Sequence, residues 1–457
     1  MAKRKTMDQK TQLARMGLFD ARVPRYTSYP TANQFNAEIG PDDYRAWVSD
    51  LVPGTGISLY LHIPFCRRLC WFCACRTQGV STIDPVRGYL DTLLSEIAML
   101  RDLLPSGVHL SRIHWGGGTP TLLPPDMMAR LATAVREIAP LAGDLEFSVE
   151  VDPSEIDEPR LDALAAAGMN RASIGVQDFD PEIQKIIGRP QSFEITAAAV
   201  EGLRARGIHS LNTDILYGLP NQTTTRMTES VQKLLSLSPD RVALYGYAHV
   251  PWMARRQTMI PTDQLPTPEM RLDLFETARQ LFQWDNYAEI GIDHFAREGD
   301  GLDVAARAGR LRRNFQGYVD DKAPVLIGLG ASAISRFSQG YAQNASGTAV
   351  YQKSIREGVF STARGHTLSA ADGLRARMIE ALMCDFRIGD SELLDTFDVS
   401  RKELDELYAP ALTDFPGMVE RSEAGLDILP QGRPLTRMIA RRFDAYHMEE
   451  TGHSVAV

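Results

Sequence analysis

Four of the five cysteines fall within ten residues, at Cys66, Cys70, Cys73 and Cys75, and only Cys384 stands apart. Disulfide frameworks belong to small secreted chains, so such a cluster in a 457-residue chain points to a metal or iron–sulfur site. The first three are spaced C-x3-C-x2-C in a loop that leaves a candidate strand. Three thiolates on one loop can hold a cubane cluster and leave one iron without a protein ligand. Four-cysteine ligation suits electron transfer, whereas an open iron suits binding and reducing a small molecule. The spacing favours this over zinc or inert core thiols. Cys75 could close the site as a fourth ligand, but with only Ala74 between it and Cys73 the loop would be very tight. The expectation is that Cys75 is no ligand and is a thiol beside the substrate; the plainer alternative is a small residue in a crowded loop.

Other residues fall where chemistry is expected. Gly116, Gly117 and Gly118 follow a strand directly, and their missing Cβ atoms let a ligand approach the backbone. A dinucleotide G-x-G-x-x-G would need glycine at 121, where Thr121 stands. Glu150 belongs to the polar face of a strand in which Phe147, Val149 and Val151 alternate with Ser148, Glu150 and Asp152. Its carboxylate suits a ribose hydroxyl pair, while Asp152 reads as the cap of a helix after Pro153. His62, His114 and His249 read as packed or hydrogen-bonded rather than metal-ligating.

These residues need a scaffold, and the alternation of short β-rich runs with amphipathic stretches supplies one. Candidate strands are 58–63, 112–115, 146–151, 171–176, 210–216 and 241–247, with helices at 86–101, 155–167 and 193–206. Glu150, Gln177, Asp214 and Ala248 recur at strand C-terminal ends, one βα unit apart, which is the catalytic edge of a parallel barrel. The expected fold is α/β: a partial TIM-like (βα)6 barrel with parallel strands, an N-terminal arm and a small, mostly helical, winged-helix-like C-terminal domain. The expected division is 1–56 arm or lid, 57–365 barrel with extensions, and 366–457 C-terminal domain. Residues 294–368 read as irregular loops, and a last basic helix is expected at 436–447. The helices between 390 and 406 are acidic, which favours a packing or lid role over DNA binding.

The composition is that of a packed globular protein, 44% apolar and 23% charged. No uncharged stretch reaches the roughly 18 residues of a membrane span, and the basic N-terminal residues precede no apolar segment of a secretory signal. A soluble, cytoplasmic protein is expected. A net charge of -9, from 49 basic and 58 acidic side chains, argues against generic binding to nucleic acid or anionic membrane.

Taken together, the cysteine loop, the arm at 25–31, the glycine run with Thr119, the segments 150–153, 175–178, 217–220 and 247–249, and the stretch 313–318 resemble the radical S-adenosylmethionine superfamily. Within it the match to the oxygen-independent coproporphyrinogen III oxidase family is close. Cys75 and the arm separate it from the related haem chaperones, while Ala74 and Trp71 stand where that family more often has glycine and tyrosine. The resemblance implies a [4Fe-4S] cluster on Cys66, Cys70 and Cys73. It also implies a first S-adenosylmethionine near Tyr60, Gly117, Gly118, Thr119, Glu150 and Ile334, and a second near Phe72, Gln177, Arg189, Asp214 and Ala248. Without the resemblance Arg189 would read as a solvated helix-end charge.

The implied reaction is oxidative decarboxylation of two propionates of coproporphyrinogen III to vinyl groups, giving protoporphyrinogen IX. Propionate Cβ–H bonds are not acidic, so a 5′-deoxyadenosyl radical, not a side-chain base, must start it. An electron donor such as flavodoxin or ferredoxin and a monomeric state are expected. Four substrate carboxylates require cations, for which Arg25, Arg312 and Arg313 are candidates. Rival readings are a haem-binding chaperone, a methyl-transferring enzyme on another tetrapyrrole, and a DNA-binding regulator.

Overall fold

The computed structural model describes residues 10–446. Seven parallel strands form its centre: β1 (Gly56–Ile63), β2 (His109–Gly117), β3 (Leu141–Val151), β4 (Arg171–Gln177), β5 (Ser210–Tyr217), β6 (Arg241–Gly246) and β7 (Val325–Leu329). They lie in the order β7-β1-β2-β3-β4-β5-β6 within a twelve-stranded sheet. Antiparallel strands extend both edges, Ile334–Arg336, Gly340–Asn344 and Thr362–Thr367 beyond β7, and His294–Arg297 and Tyr287–Ile290 beyond β6. The fold is thus α/β with a mostly parallel central sheet.

Strand alternation divides the side chains between two faces. Leu59, Ile113, Phe147, Val149, Ala172, Ile174, Leu211 and Ile215 are buried in the main core. Between them Ser58, Tyr60, Arg112, His114, Glu146, Ser148, Glu150, Ser173, Asn212 and Asp214 line one cavity. All seven parallel strands reach the same cavity, so the sheet curls around it. Its far end is a charged floor, where Arg171 reaches Glu146 at 2.8 Å and Arg112 reaches Asp320 at 3.1 Å.

Helices cross over between strands, among them Asp84–Leu103, Pro125–Arg136, Phe193–Ala205 and Thr224–Ser236. The helix expected from 155 starts instead at Glu158, because Asp157 accepts from the Arg160 amide at 3.0 Å and caps it. Asp152 is no cap; its carboxylate accepts from Ser154 N at 3.0 Å in a local turn.

The stretch expected to be irregular loop contains β7 and the antiparallel strands beside it. All five residues of β7 are buried, as suits a parallel strand covered on both faces, but a run so short and uniformly apolar carries no period. Glu96, buried on its helix, pins the end of β7 by accepting from Gly330 N at 2.7 Å, Asn344 Nδ2 at 2.8 Å and the Tyr351 hydroxyl at 2.7 Å.

A second core joins the two ends of the chain. Leu13, Leu18, Phe19, Tyr26 and Tyr29 from the N-terminal arm pack with Met378, Leu382, Leu404, Leu426 and Phe443. The C-terminal part runs as helix Ala370–Asp385, strand Arg387–Gly389, helices Asp390–Thr396 and Arg401–Asp414, and the hairpin Val419–Ser422 with Gly425–Ile428. Asp390 is buried, with Arg421 at 2.7 Å and the Tyr408 hydroxyl at 2.9 Å, so this acidic residue serves packing. The last helix is shorter than expected, Thr436–Ala440 followed by a 3-10 turn. The chain leaves the helix to bring the Tyr446 hydroxyl to Asp372 at 2.9 Å; His447 lies outside the described residues. Among the described residues no helix is long and apolar enough to cross a membrane.

Candidate active site

The cysteine loop is closed at its base by a short parallel pair, Phe65–Cys66 with Gln78–Gly79. Gly118 N donates to Ile63 O and Thr119 N to Phe65 O, both at 2.8 Å, so the loop after β2 holds the start of the cysteine loop. A Cβ on Gly118 would run into the Phe65 backbone, and Gly117 adopts φ +112 with His62 packed against it. Close approach of two backbones therefore accounts for Gly118, and the positive φ against the His62 ring for Gly117. Gly117 N in turn donates to Glu150 Oε2 at 3.0 Å, and Thr119 hydrogen-bonds the Cys66 sulfur.

The sulfurs sit in unlike surroundings. Burial pushes the Cys66 thiol up to about 11. Burial also raises Cys70, opposed by the Arg189 guanidinium, whose Nη1 donates to its sulfur at 3.5 Å. A hydrogen bond from Cys75 holds Cys73 down to about 6, and the Cys75 amide donates to the Cys73 sulfur at 3.4 Å. Among the described residues no three His, Cys, Asp or Glu side chains are close enough to share one metal ion. The three thiols carried by this one loop are a donor set that an iron–sulfur cluster takes.

Tyr60, Phe72, Cys73, Cys75, Glu150, Asp214 and Ala248 all line the cavity, of about 540 Å³. Tyr60 stacks on His114 with ring centroids 5.6 Å apart and its hydroxyl meets His62 Nδ1 at 3.0 Å. His114 Nε2 lies 3.4 Å from Glu150 Oε1. His249 meets the Tyr247 hydroxyl at 2.9 Å, so all three histidines are hydrogen-bonded as expected. Ile334 stands outside the lining, its backbone packed against Gly328, the register partner of Tyr60.

On the opposite wall, Gly175 of β4 pairs with Asp214 of β5. Arg189 donates to Gly175 O at 3.1 Å, and Gln177 takes φ +70, which turns the chain just past β4. Arg189 is nearly buried, which overturns the reading of a solvated helix-end charge. Burial pushes Asp214 up to about 7, although Asn212 donates to it at 2.9 Å.

Three participants escape sequence reasoning. Asp152 lies 3.4 Å from Arg189 and balances it. Gln257 Nε2 donates to both Phe72 O at 2.7 Å and Ala248 O at 3.0 Å, clamping the cysteine loop to the segment after β6. Arg256 donates to the Thr77 hydroxyl at 2.9 Å. The only sequence signal for the last two is an arginine and glutamine run beyond the sixth strand. Arg25 and Arg313 line the cavity, but Arg312 points away toward Glu380 at 3.8 Å and does not serve as a cavity cation.

The radical SAM superfamily profile matches residues 60–234. The chain is 63% identical over 451 residues to the oxygen-independent coproporphyrinogen III oxidase of Paracoccus denitrificans, covering 99% of this chain and all of that one. It is 38% identical over 439 residues to the enzyme of that name from Escherichia coli, covering 95% of each. The solved coproporphyrinogen III oxidase of Escherichia coli, described as a radical SAM enzyme, superposes with a TM-score of 0.88 at 37% identity, covering 93% of this chain and all of that one.

Proposed function

The chain belongs to the oxygen-independent coproporphyrinogen III oxidase family of the radical SAM superfamily, and from that premise we propose how its residues divide the work. The protein converts two propionate side chains of coproporphyrinogen III to vinyl groups without oxygen, giving protoporphyrinogen IX for porphyrin biosynthesis. The observation that carries this reading is the single cavity that joins the cysteine loop to Tyr60, Glu150 and Asp214. When bound, the [4Fe-4S] cluster and S-adenosylmethionine supply the 5′-deoxyadenosyl radical that takes hydrogen from the propionate Cβ.

Cys66, Cys70 and Cys73 hold the cluster, and Cys75 faces the substrate. Tyr60, Gly117, Gly118, Thr119, Glu150 and Ile334 surround the first S-adenosylmethionine. Glu150 is supported in this by Gly117 N, which orients its carboxylate, and by its place on the cavity wall. Phe72, Gln177, Arg189, Asp214 and Ala248 take a second S-adenosylmethionine; their grouping around Gly175 and Gln257 supports it. Arg189 and the clamp of Gln257 orient this wall, and the stacked rings of Tyr60 and His114 wall off water.

The segments 1–56, 57–365 and 366–457 act as arm, catalytic unit and cap. The last is winged-helix-like, in keeping with its helices followed by a hairpin, and the shared core of arm and cap supports their closing the cavity together. The protein works as a cytoplasmic monomer that receives electrons from a flavodoxin- or ferredoxin-type carrier and binds no nucleic acid.

The test is anaerobic turnover of coproporphyrinogen III by reconstituted protein with reductant and S-adenosylmethionine, reading porphyrin masses and 5′-deoxyadenosine together. Loss of two carboxyl groups in step with 5′-deoxyadenosine is expected. Formation of 5′-deoxyadenosine over an intact porphyrin would reject the oxidase and leave a haem chaperone or another tetrapyrrole enzyme.

A further inference from the structure

The functional reading above requires electrons from outside the chain, and tunnelling fades steeply with distance, so a donor has to seat close to the cysteine loop. Other segments edge that loop on two sides. On one, Trp71 N donates to Ile187 O at 2.9 Å, Arg68 donates to Pro190 O at 3.4 Å, and the Trp71 ring lies against Gly188. On the other stands the 3-10 turn Arg255–Met259, where Arg256 donates to Cys75 O at 3.4 Å and to Thr77 O at 3.2 Å beside the clamp of Gln257.

These segments are cationic. Segment 64–82 carries Arg67, Arg68 and Arg76, segment 183–193 Lys185 and Arg189, and segment 248–261 Arg255 and Arg256, and none of the three carries Asp or Glu. The chain as a whole has a net charge of -9, so the positive charge is local. Arg189 faces inward to Asp152, and Arg67 has Glu155 at 3.9 Å. Arg68, Arg76, Lys185 and Arg255 are exposed and form no ion pair among the described residues. Apolar side chains are exposed on the segment after β6 as well: Trp252 is 54%, Met253 60% and Met259 57% exposed, with the Arg22 guanidinium over the Trp252 ring at 5.8 Å. Aromatic, methionine and arginine side chains are those enriched where proteins bind one another, and methionine adapts to the shape it meets.

We propose that the outer edge of the cysteine loop, with Arg68, Lys185 and Arg255 as its cations and Trp252, Met253 and Met259 as its apolar part, is the docking surface for an acidic flavin-mononucleotide electron carrier. This rests on the functional reading above and extends it by assigning where the electrons enter. Charge complementarity selects an acidic partner and steers its encounter with a chain that is otherwise anionic. The apolar side chains select the flavin type. A flavin reaches the surface of its carrier as an apolar ring edge, which Trp252 and the methionines can cover, whereas an iron–sulfur carrier keeps its cluster beneath polar backbone. On docking, the flavin hydroquinone anion gives up one electron, keeps its N5 proton and becomes the neutral semiquinone, and the cluster held by the loop takes up that electron.

The test is anaerobic titration of the reconstituted full chain with a flavodoxin, followed by flavin fluorescence at rising salt. Wild-type affinity is expected to fall as salt screens the surface charges. The double variant Lys185→Glu, Arg255→Glu is expected to bind roughly 10-fold more weakly at low salt and to lose most of the salt dependence. The double variant Trp252→Ser, Met253→Ser is expected to bind more weakly at high salt as at low salt. Lys402→Glu reverses a charge on the C-terminal helix Arg401–Asp414 and is expected to bind as wild type. With dithionite as reductant, Lys185→Glu, Arg255→Glu is expected to form 5′-deoxyadenosine at the wild-type rate, and with reduced flavodoxin more slowly. Loss of the dithionite-driven rate in that variant overturns the proposal, since these residues would then support the loop itself. Binding of a ferredoxin to this face where flavodoxin does not bind also overturns it. Decarboxylation of coproporphyrinogen by wild type with dithionite, together with wild-type flavodoxin affinity in both double variants, overturns the docking surface alone. Wild type that forms no 5′-deoxyadenosine with dithionite overturns the functional reading and the docking surface with it.

Discussion

Arg189 Nη1 lies 3.5 Å from the Cys70 sulfur while the same guanidinium stands 3.4 Å from the Asp152 carboxylate. One nearly buried cation thus faces the thiol proposed as a cluster ligand on one side and its balancing anion on the other. A thiolate here is stabilised by the guanidinium, and the carboxylate keeps the pair neutral. Groups that support a metal ligand commonly alter affinity 10- to 100-fold when removed. Arg189→Met is therefore expected to lose its iron to a chelator roughly 10-fold faster than wild type, with Arg189→Lys intermediate. The readout is the decay of cluster absorbance in anaerobic protein, and a wild-type rate in Arg189→Met would show that this contact does not support the ligand.

The sequence makes legible what repeats and what clusters. Six strands announce themselves as short β-rich runs, most with apolar residues at alternate positions, and three of them carry a polar residue at the same edge, Glu150, Gln177 and Asp214. The cysteine spacing is local and chemical, so it needs no fold to be read. β7 is not legible, because five buried, apolar residues carry neither the period of a strand nor that of a helix. Arg189 is misread alone, since a charge after a short helix is usually solvated and only the fold brings Cys70 and Gly175 onto it.

Asp214 gives the fold a pH dependence of definite sign. Burial raises its pKa from 3.8 to about 7, so between these values the folded protein keeps a proton that the unfolded chain has lost. Stability then falls as pH rises through that window and stays low above it. Each tenfold difference in proton affinity is worth about 1.4 kcal/mol, so the change amounts to a few kcal/mol at most. Asp214→Asn is expected to narrow the difference in urea midpoint between pH 5 and pH 8, measured on cofactor-free protein. Glu96, pushed to about 7 by burial, has the same sign and leaves a residual slope. An unchanged midpoint difference in Asp214→Asn would mean that Asp214 is charged throughout.

Gln257 is the test of whether the cysteine loop is held from outside. It is buried, and its single amide nitrogen bridges Phe72 O in the loop and Ala248 O beyond β6. Its oxygen accepts from Val250 N at 2.6 Å, so every polar atom of the side chain is used in joining the two segments. Gln257→Ala leaves two carbonyls and one amide without these partners, each worth about 1–3 kcal/mol where water cannot replace it. The loop itself keeps its base, because Gly118 and Thr119 hold it from the other side. The expected result is therefore local: the amides of 71–76 exchange hydrogen at least 10-fold faster in Gln257→Ala, while those of β1 and β2 keep their wild-type protection. S-adenosylmethionine affinity should fall with it, since Phe72 and Ala248 lose their common anchor. Faster exchange throughout the sheet would instead make Gln257 a general stabilising residue, and unchanged exchange at 71–76 would show that the loop is held by its base alone.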